Sequence, residues 1–131
     1  MSYSEAVLAR FRSAPGAGRL PPDAERVGTG EAARDAGERI RIQVRLGPDG
    51  AIAESRFKAF GCPVAIACGS YAAERVVGAA PRQAAALSVD EIAAALELDV
   101  DQRAIAALAV AALAAALAGL GAAGEPERMG T

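Results

Sequence analysis

The chain has 131 residues with 14 basic and 16 acidic side chains, a net charge of −2 and no histidine. Such a length fits one domain. Near-balanced charge and 4% aromatic residues exclude nucleic acid as the main partner, because phosphate binding needs clustered cations and base stacking needs aromatic platforms.

The lack of histidine removes Ser-His and Cys-His catalysis and every His-bound metal. Two cysteines make no disulfide framework, and the N-terminus has no basic, apolar, small-residue signal, so a reducing cytoplasm and no membrane anchoring are expected. Apolar residues reach 53%, but many are alanine, which buries less area per residue than leucine or phenylalanine.

In chain order, Tyr3 to Phe11 reads as a short amphipathic helix. Ser4 is its N-cap candidate, and Val7, Leu8 and Phe11 lie on one face. Prolines and glycines from Pro15 to Pro22 make a loop. Arg26 to Ala32 reads as a short edge strand weakened by Gly28 and Gly30, and Asp35-Ala36-Gly37-Glu38 as a polar turn. Arg39 to Leu46 is the clearest strand: Ile40, Ile42, Val44 and Leu46 form a buried face, and Arg39, Arg41, Gln43 and Arg45 a solvated one. Gly47-Pro48-Asp49-Gly50 is a hairpin signal, and Ala51 to Phe60 returns as a strand.

Pro63 to Val77 then has helical periodicity, ended by Gly78, and Pro81 opens a looser helical stretch. Ser88 and Glu91 form a capping box before Ile92 to Leu96. Asp99 or Asp101 can cap the last helix. No residue is charged from Ala104 to Leu120, a length at the short edge of a membrane span. Alanine content and the spacing of Ile105, Leu108, Leu113, Leu117 and Leu120 favour a buried helix instead. Glu125 to Thr131 is expected to be a disordered tail after a domain over 1–124. Strands followed by helices indicate an α+β fold, a small antiparallel sheet with its apolar face covered by helices.

Chemistry concentrates where the return strand meets the next helix. Gly61 breaks the alternation, Pro63 suits the first helical position, and Cys62 therefore falls at the N-cap. Free N–H groups and the helix dipole there favour a thiolate; the plainer alternative is a tight turn with an incidental small residue. Cys68 lies six positions further, neither i+3 nor i+4, so an intrahelical bridge is unfavourable and a small packing residue is the simpler role. Tyr3 can anchor a partner or pack on its own domain. Arg39, Arg41 and Arg45 read as an exposed strand face.

These residues carry a resemblance. Met1-Ser-Tyr-Ser-Glu, Val27-Gly-Thr-Gly, the run Arg56-Phe-Lys-Ala-Phe-Gly-Cys62 with Ala65-Ile66-Ala67, and Leu96-Glu97-Leu98 occur in the order and spacing of the iron–sulfur cluster scaffold family, the IscU type and the N-terminal domain of NifU. The chain is similar to that family over almost its whole length. The resemblance implies a three-stranded antiparallel sheet packed against helices, work in iron–sulfur cluster assembly without enzymatic activity, iron or an iron–sulfur cluster as the group handled, and a cysteine desulfurase or another assembly protein as partner.

It also marks departures. The family's Cys-Gly-Asp becomes Ala36-Gly37-Glu38, and its His-Cys pair becomes Ala104-Ile105. The segment that a dedicated chaperone reads in the family becomes Asp99-Val100-Asp101-Gln102. Of the implied ligands, Cys62 and the carboxylate of Glu38 remain, and Glu38 also reads as a plain solvated turn residue.

A [2Fe–2S] cluster normally takes four protein ligands and a structural zinc also four, so one monomer is not expected to hold either tightly, although a dimer could pool two copies of Cys62 and Cys68. Two readings follow from the sequence. Cys62 is a weak ligand or a sulfur acceptor in cluster assembly; alternatively, the chain is a non-cluster binding or regulatory module that uses the scaffold's docking surface. An unrelated thiol enzyme lacks a base beside its nucleophile.

Overall fold

A computed structural model describes residues 2–21 and 23–124, with side chains described to Leu120. The expected tail over 125–131 lies outside the described residues. The order of elements is α1 (Glu5–Ser13), β1 (Val27–Ala33), β2 (Arg39–Leu46), β3 (Ile52–Phe60), α2 (Pro63–Val76), α3 (Pro81–Ala84), α4 (Val89–Leu96) and α5 (Arg103–Gly124). The three strands form one antiparallel sheet in the order β1-β2-β3. Helices α2 and α5 lie on one face of it, with α1 packed on α2 and α4 packed against both α5 and α2. This is the α+β arrangement expected from the sequence.

Local signals account for most of the boundaries. Ser4 caps α1 by accepting from the Val7 N–H at 3.1 Å. The 47–50 turn closes with Gly50 N–H on the Gly47 carbonyl at 3.1 Å, and the Asp49 carboxylate accepts from Ala51 N–H. Asp99 and Gln102 cap each other before α5: Gln102 N–H donates to Asp99 Oδ1, and Asp99 N–H donates to Gln102 Oε1. The Gln102 amide also donates to the Ser2 carbonyl, tying the N-terminus to the start of α5.

The core is built from Ile40, Ile42 and Val44 of β2, Phe57 of β3 and the inner faces of α2 and α5. Helix α5 is long and apolar enough to cross a membrane by composition alone. Here it covers β1 and β2, burying Ile105, Leu113 and Leu120 together with Ala106, Ala109, Ala112 and Ala116. Its buried stripe is therefore mostly alanine, with Leu108 and Leu117 at the margin.

Several local expectations are corrected. Gly28 and Gly30 have a role the sequence reading missed: they let α5 approach β1. A Cβ on Gly30 would lie 2.1 Å from the Ala112 carbonyl oxygen, and one on Gly28 2.1 Å from that of Ala116. Gln43 is not solvated but 3% exposed, its amide bonded to the N–H and carbonyl of Leu20 and to Thr29 Oγ1. The loop before β1 folds over that face of the sheet, so a polar residue is buried fully paired. Leu46 is half-buried and Phe11 is 43% exposed. The capping box at Ser88 is half made: Ser88 Oγ accepts from Glu91 N–H, but the Glu91 carboxylate accepts from Tyr71 Oη and Arg75 Nε, both at 2.7 Å. These two donors hold the Glu91 carboxyl below its ordinary range.

Candidate functional site

Two chain reversals meet at one end of the sheet. The β1–β2 turn closes with Gly37 N–H on the Arg34 carbonyl and Arg34 N–H on the Glu38 carbonyl, at 3.0 and 2.9 Å. Since Arg39 pairs with Phe60, the next residues outward, Glu38 and Gly61, face each other beyond the end of the ladder. The contact is tight: Gly61 has φ +116°, and a Cβ there would lie 2.9 Å from Glu38 Cα. Glycine is thus required twice, for its left-handed backbone and for the space. The chain leaves Gly61 into Cys62 and α2.

Cys62 occupies the N-cap in extended conformation, with φ −170° and ψ 164°, and Pro63 follows at the first helical position. Its carbonyl accepts the first helical bonds, from Ala65 and Ile66 N–H, and its thiol makes no capping bond. The residue is half-buried, and the first turn of α2 carries no acid. The residue thus sits at the N-terminal end of α2, with its side chain packed partly against the core.

Cys68 differs completely. It is buried in the core, and burial first, then the nearby Cys62, pushes its thiol up to about 12. It is the packing residue expected from the sequence, and its burial removes the pooled four-sulfur site that a dimer would need.

Glu38 is not a solvated turn carboxylate. Its side chain is 14% exposed, and Oε1 sits 2.9 Å from Arg34 Nε. That oxygen is buried and accepts no directed hydrogen bond, so the contact is a close ion pair with poor alignment. Arg34 was not singled out in the sequence; the available signal was opposite charges flanking a tight turn. The other two implied positions carry no donor: Ala104 is exposed, and Ile105 is 2% exposed within the core. Among the described residues, no three His, Cys, Asp or Glu side chains gather closely enough to hold a metal ion. The fold thus brings together Cys62 and the Glu38 turn but adds no third donor. One thiol and one arginine-paired carboxylate do not fit a four-ligand cluster.

At the end of β3, Phe60 is 50% exposed, with Lys58 Nζ 5.2 Å from its ring centre. This pair places an apolar surface and a cation just before the thiol. Tyr3 packs against the domain's own core.

Comparison with known proteins places this geometry. The chain matches the NifU-like N terminal domain family over residues 2–122. It is 34% identical over 99 residues to the iron–sulfur cluster assembly scaffold protein IscU of Escherichia coli K12, covering 75% of this chain and 77% of that one. The IscU of Haemophilus influenzae is also 34% identical, over 75% of this chain and 79% of its own. Among solved structures, a scaffold protein for the SUF system from Fervidobacterium islandicum aligns with TM-score 0.68 at 16% identity, covering 88% of this chain and 96% of its own. The N-terminal part of a NifU-like protein from Brucella abortus aligns with TM-score 0.67 at 16% identity, over 94% of each chain. The fold is shared with both, and from the match over nearly all of its length the chain belongs to the NifU-like N-terminal domain family.

Proposed function

We propose that this protein serves iron–sulfur cluster assembly as a single-thiol sulfur acceptor rather than as an independent holder of a finished cluster. The observation that carries this reading is the contrast in donors at one site: Cys62 is partly exposed at a helix N-terminus, while Cys68 is sealed and Glu38 is paired with Arg34. Family membership supplies the setting, and relatives bear the name of assembly scaffolds.

One thiolate suffices for sulfur transfer. Cys62 Sγ attacks the terminal sulfur of a persulfide on a cysteine desulfurase; a new S–S bond forms to Cys62, the old one breaks, and the donor cysteine leaves as thiolate. The sulfane sulfur changes carrier without a net change in oxidation level, so no outside oxidant or reductant is needed. No step requires a bound metal, and the protein acts as a carrier, not an enzyme, in the reducing cytoplasm.

The alternative of a docking module without sulfur chemistry is favoured by the Arg34–Glu38 pair, which occupies the remaining carboxylate. Incubation with a cysteine desulfurase and ³⁵S-cysteine separates the two. Label should appear on the wild type and on Cys68→Ser and be absent from Cys62→Ser. Unlabelled wild type that still binds the desulfurase would establish the docking module, whereas a stable coloured cluster after anaerobic reconstitution with iron and sulfide would restore the full scaffold role.

A further inference from the structure

We infer that the outer edge of β3, beyond Phe57, accepts an extended acidic segment of a partner protein as an added strand. Phe57 is the last β3 residue whose outward backbone groups are paired there: its N–H donates to the Gly16 carbonyl and its carbonyl accepts from Gly18 N–H, a parallel bridge centred on Ala17. Residues two apart along a strand turn their backbone groups the same way, so Ala59 also directs its N–H and C=O outward.

Continuation of the same pairing would place Leu20 N–H on the Ala59 carbonyl. Instead Leu20 N–H donates to Gln43 Oε1 at 2.8 Å and its carbonyl accepts from Gln43 Nε2 at 2.9 Å. The buried glutamine draws the chain across the sheet and off its edge. Among the described residues, the outward groups of Ala59 have no backbone partner beyond the β2–β3 ladder. An open edge of this kind is a template for another strand.

The edge opens into a groove of about 460 Å³. Phe57, Ala59 and Ile66 supply its apolar side, and Arg19, Arg41 and Lys58 its charged side, with no acidic residue in the lining. Among the described residues, these three cations form no ion pair, whereas eight other arginines do. On a chain of net charge −2, a patch of three unneutralised cations selects a complementary anionic partner. Strand addition satisfies the Ala59 backbone, and alternate acidic side chains meet the cations, while the aliphatic ones between them meet Ala59 and Ile66. The inference is independent of sulfur chemistry at Cys62.

The test uses the ¹⁵N-labelled full chain titrated with acetylated, amidated Asp-Val-Asp-Val-Asp, with Lys-Val-Lys-Val-Lys and citrate as controls. The Ala59 amide should shift and its hydrogen exchange should slow. The acidic peptide should bind at least about tenfold more tightly than the basic one at low salt. Arg19→Glu and Arg41→Glu, with unchanged circular dichroism and melting, should each weaken it, and Cys62→Ser should not. Equal affinity for the two peptides, or shifts remote from Ala59, would overturn the inference. So would citrate reproducing the Ala59 changes, which would make the groove a small-anion site, or the same changes arising with protein concentration alone, which would make a second copy the occupant.

Discussion

The seam between β1 and α5 and the junction between β3 and α2 both depend on glycine, for different reasons. At the seam, Gly30 and Gly28 lie in an ordinary strand, and what matters is the missing Cβ, because α5 carbonyl oxygens occupy its place. At the junction, Gly61 needs both a positive φ and room for Glu38. The seam is closed backbone to backbone with small residues on both sides, and it gains stability through close contact over its length. The junction is a single reversal that leaves one half-buried thiol, packed partly against the core, at the start of α2. One region excludes everything, and the other leaves one sulfur partly accessible.

The largest expected effect is at the seam. Gly30→Ala places a methyl group against the Ala112 carbonyl and the Ala116 N–H, neither of which can rotate away, so α5 must lift from the sheet. A loss of about 3 kcal/mol or more is expected in urea unfolding. A loss below about 1 kcal/mol would mean that the seam is looser than a packed core.

At the junction, Gly61→Ala should cost about 1–3 kcal/mol through backbone strain, and it should displace Glu38. The sharper measurement is the rate of Cys62 alkylation, which should change in this variant and stay constant in any Gly30 variant that remains folded. Equal disturbance of Cys62 by both substitutions would show that the two regions are one cooperative unit.

The smallest effect concerns Cys68 and pH. The fold keeps this thiol protonated up to about 12, against an ordinary value of 9.0. In the unfolded chain the proton leaves at the lower pH. The stabilising contribution is therefore complete below 9.0 and declines as pH rises from there toward about 12. Unfolding midpoints at about pH 8 and about pH 10 should fall further for the wild type than for Cys68→Ala, a reference that subtracts the tyrosine and lysine titrations. Identical slopes would mean that Cys68 is accessible to water, and the contrast with Cys62 would disappear.

Much of the site was legible because its signals are local. Alternation in Arg39–Leu46, the Gly-Pro-Asp-Gly turn and the Gly61-Cys62-Pro63 sequence each depend on neighbours a few residues away, so period and turn chemistry identify them. They were enough to locate the thiol at a helix N-cap and the strand that delivers it. Where the reading missed, a distant element had intervened. Glu91 was free to complete its capping box until Tyr71 and Arg75 of α2 supplied better donors.

From the amino-acid order alone came the fold class and the strand-to-helix turn at Cys62, because these rest on residue identity and short-range geometry, while the loss of sulfur at Ala36 and Ile105 came from the family resemblance that the order of motifs carries. Tertiary structure alone decided that Gln43 is buried and paired, that Glu38 is held by Arg34 and that the edge of β3 opens at Ala59. Each of these depends on which segment comes to lie against a residue from far along the chain or through a reversal of it. Burial, the factor that sets the cost of charge and of an unpaired polar group, belongs to the assembled fold and not to any local stretch of sequence.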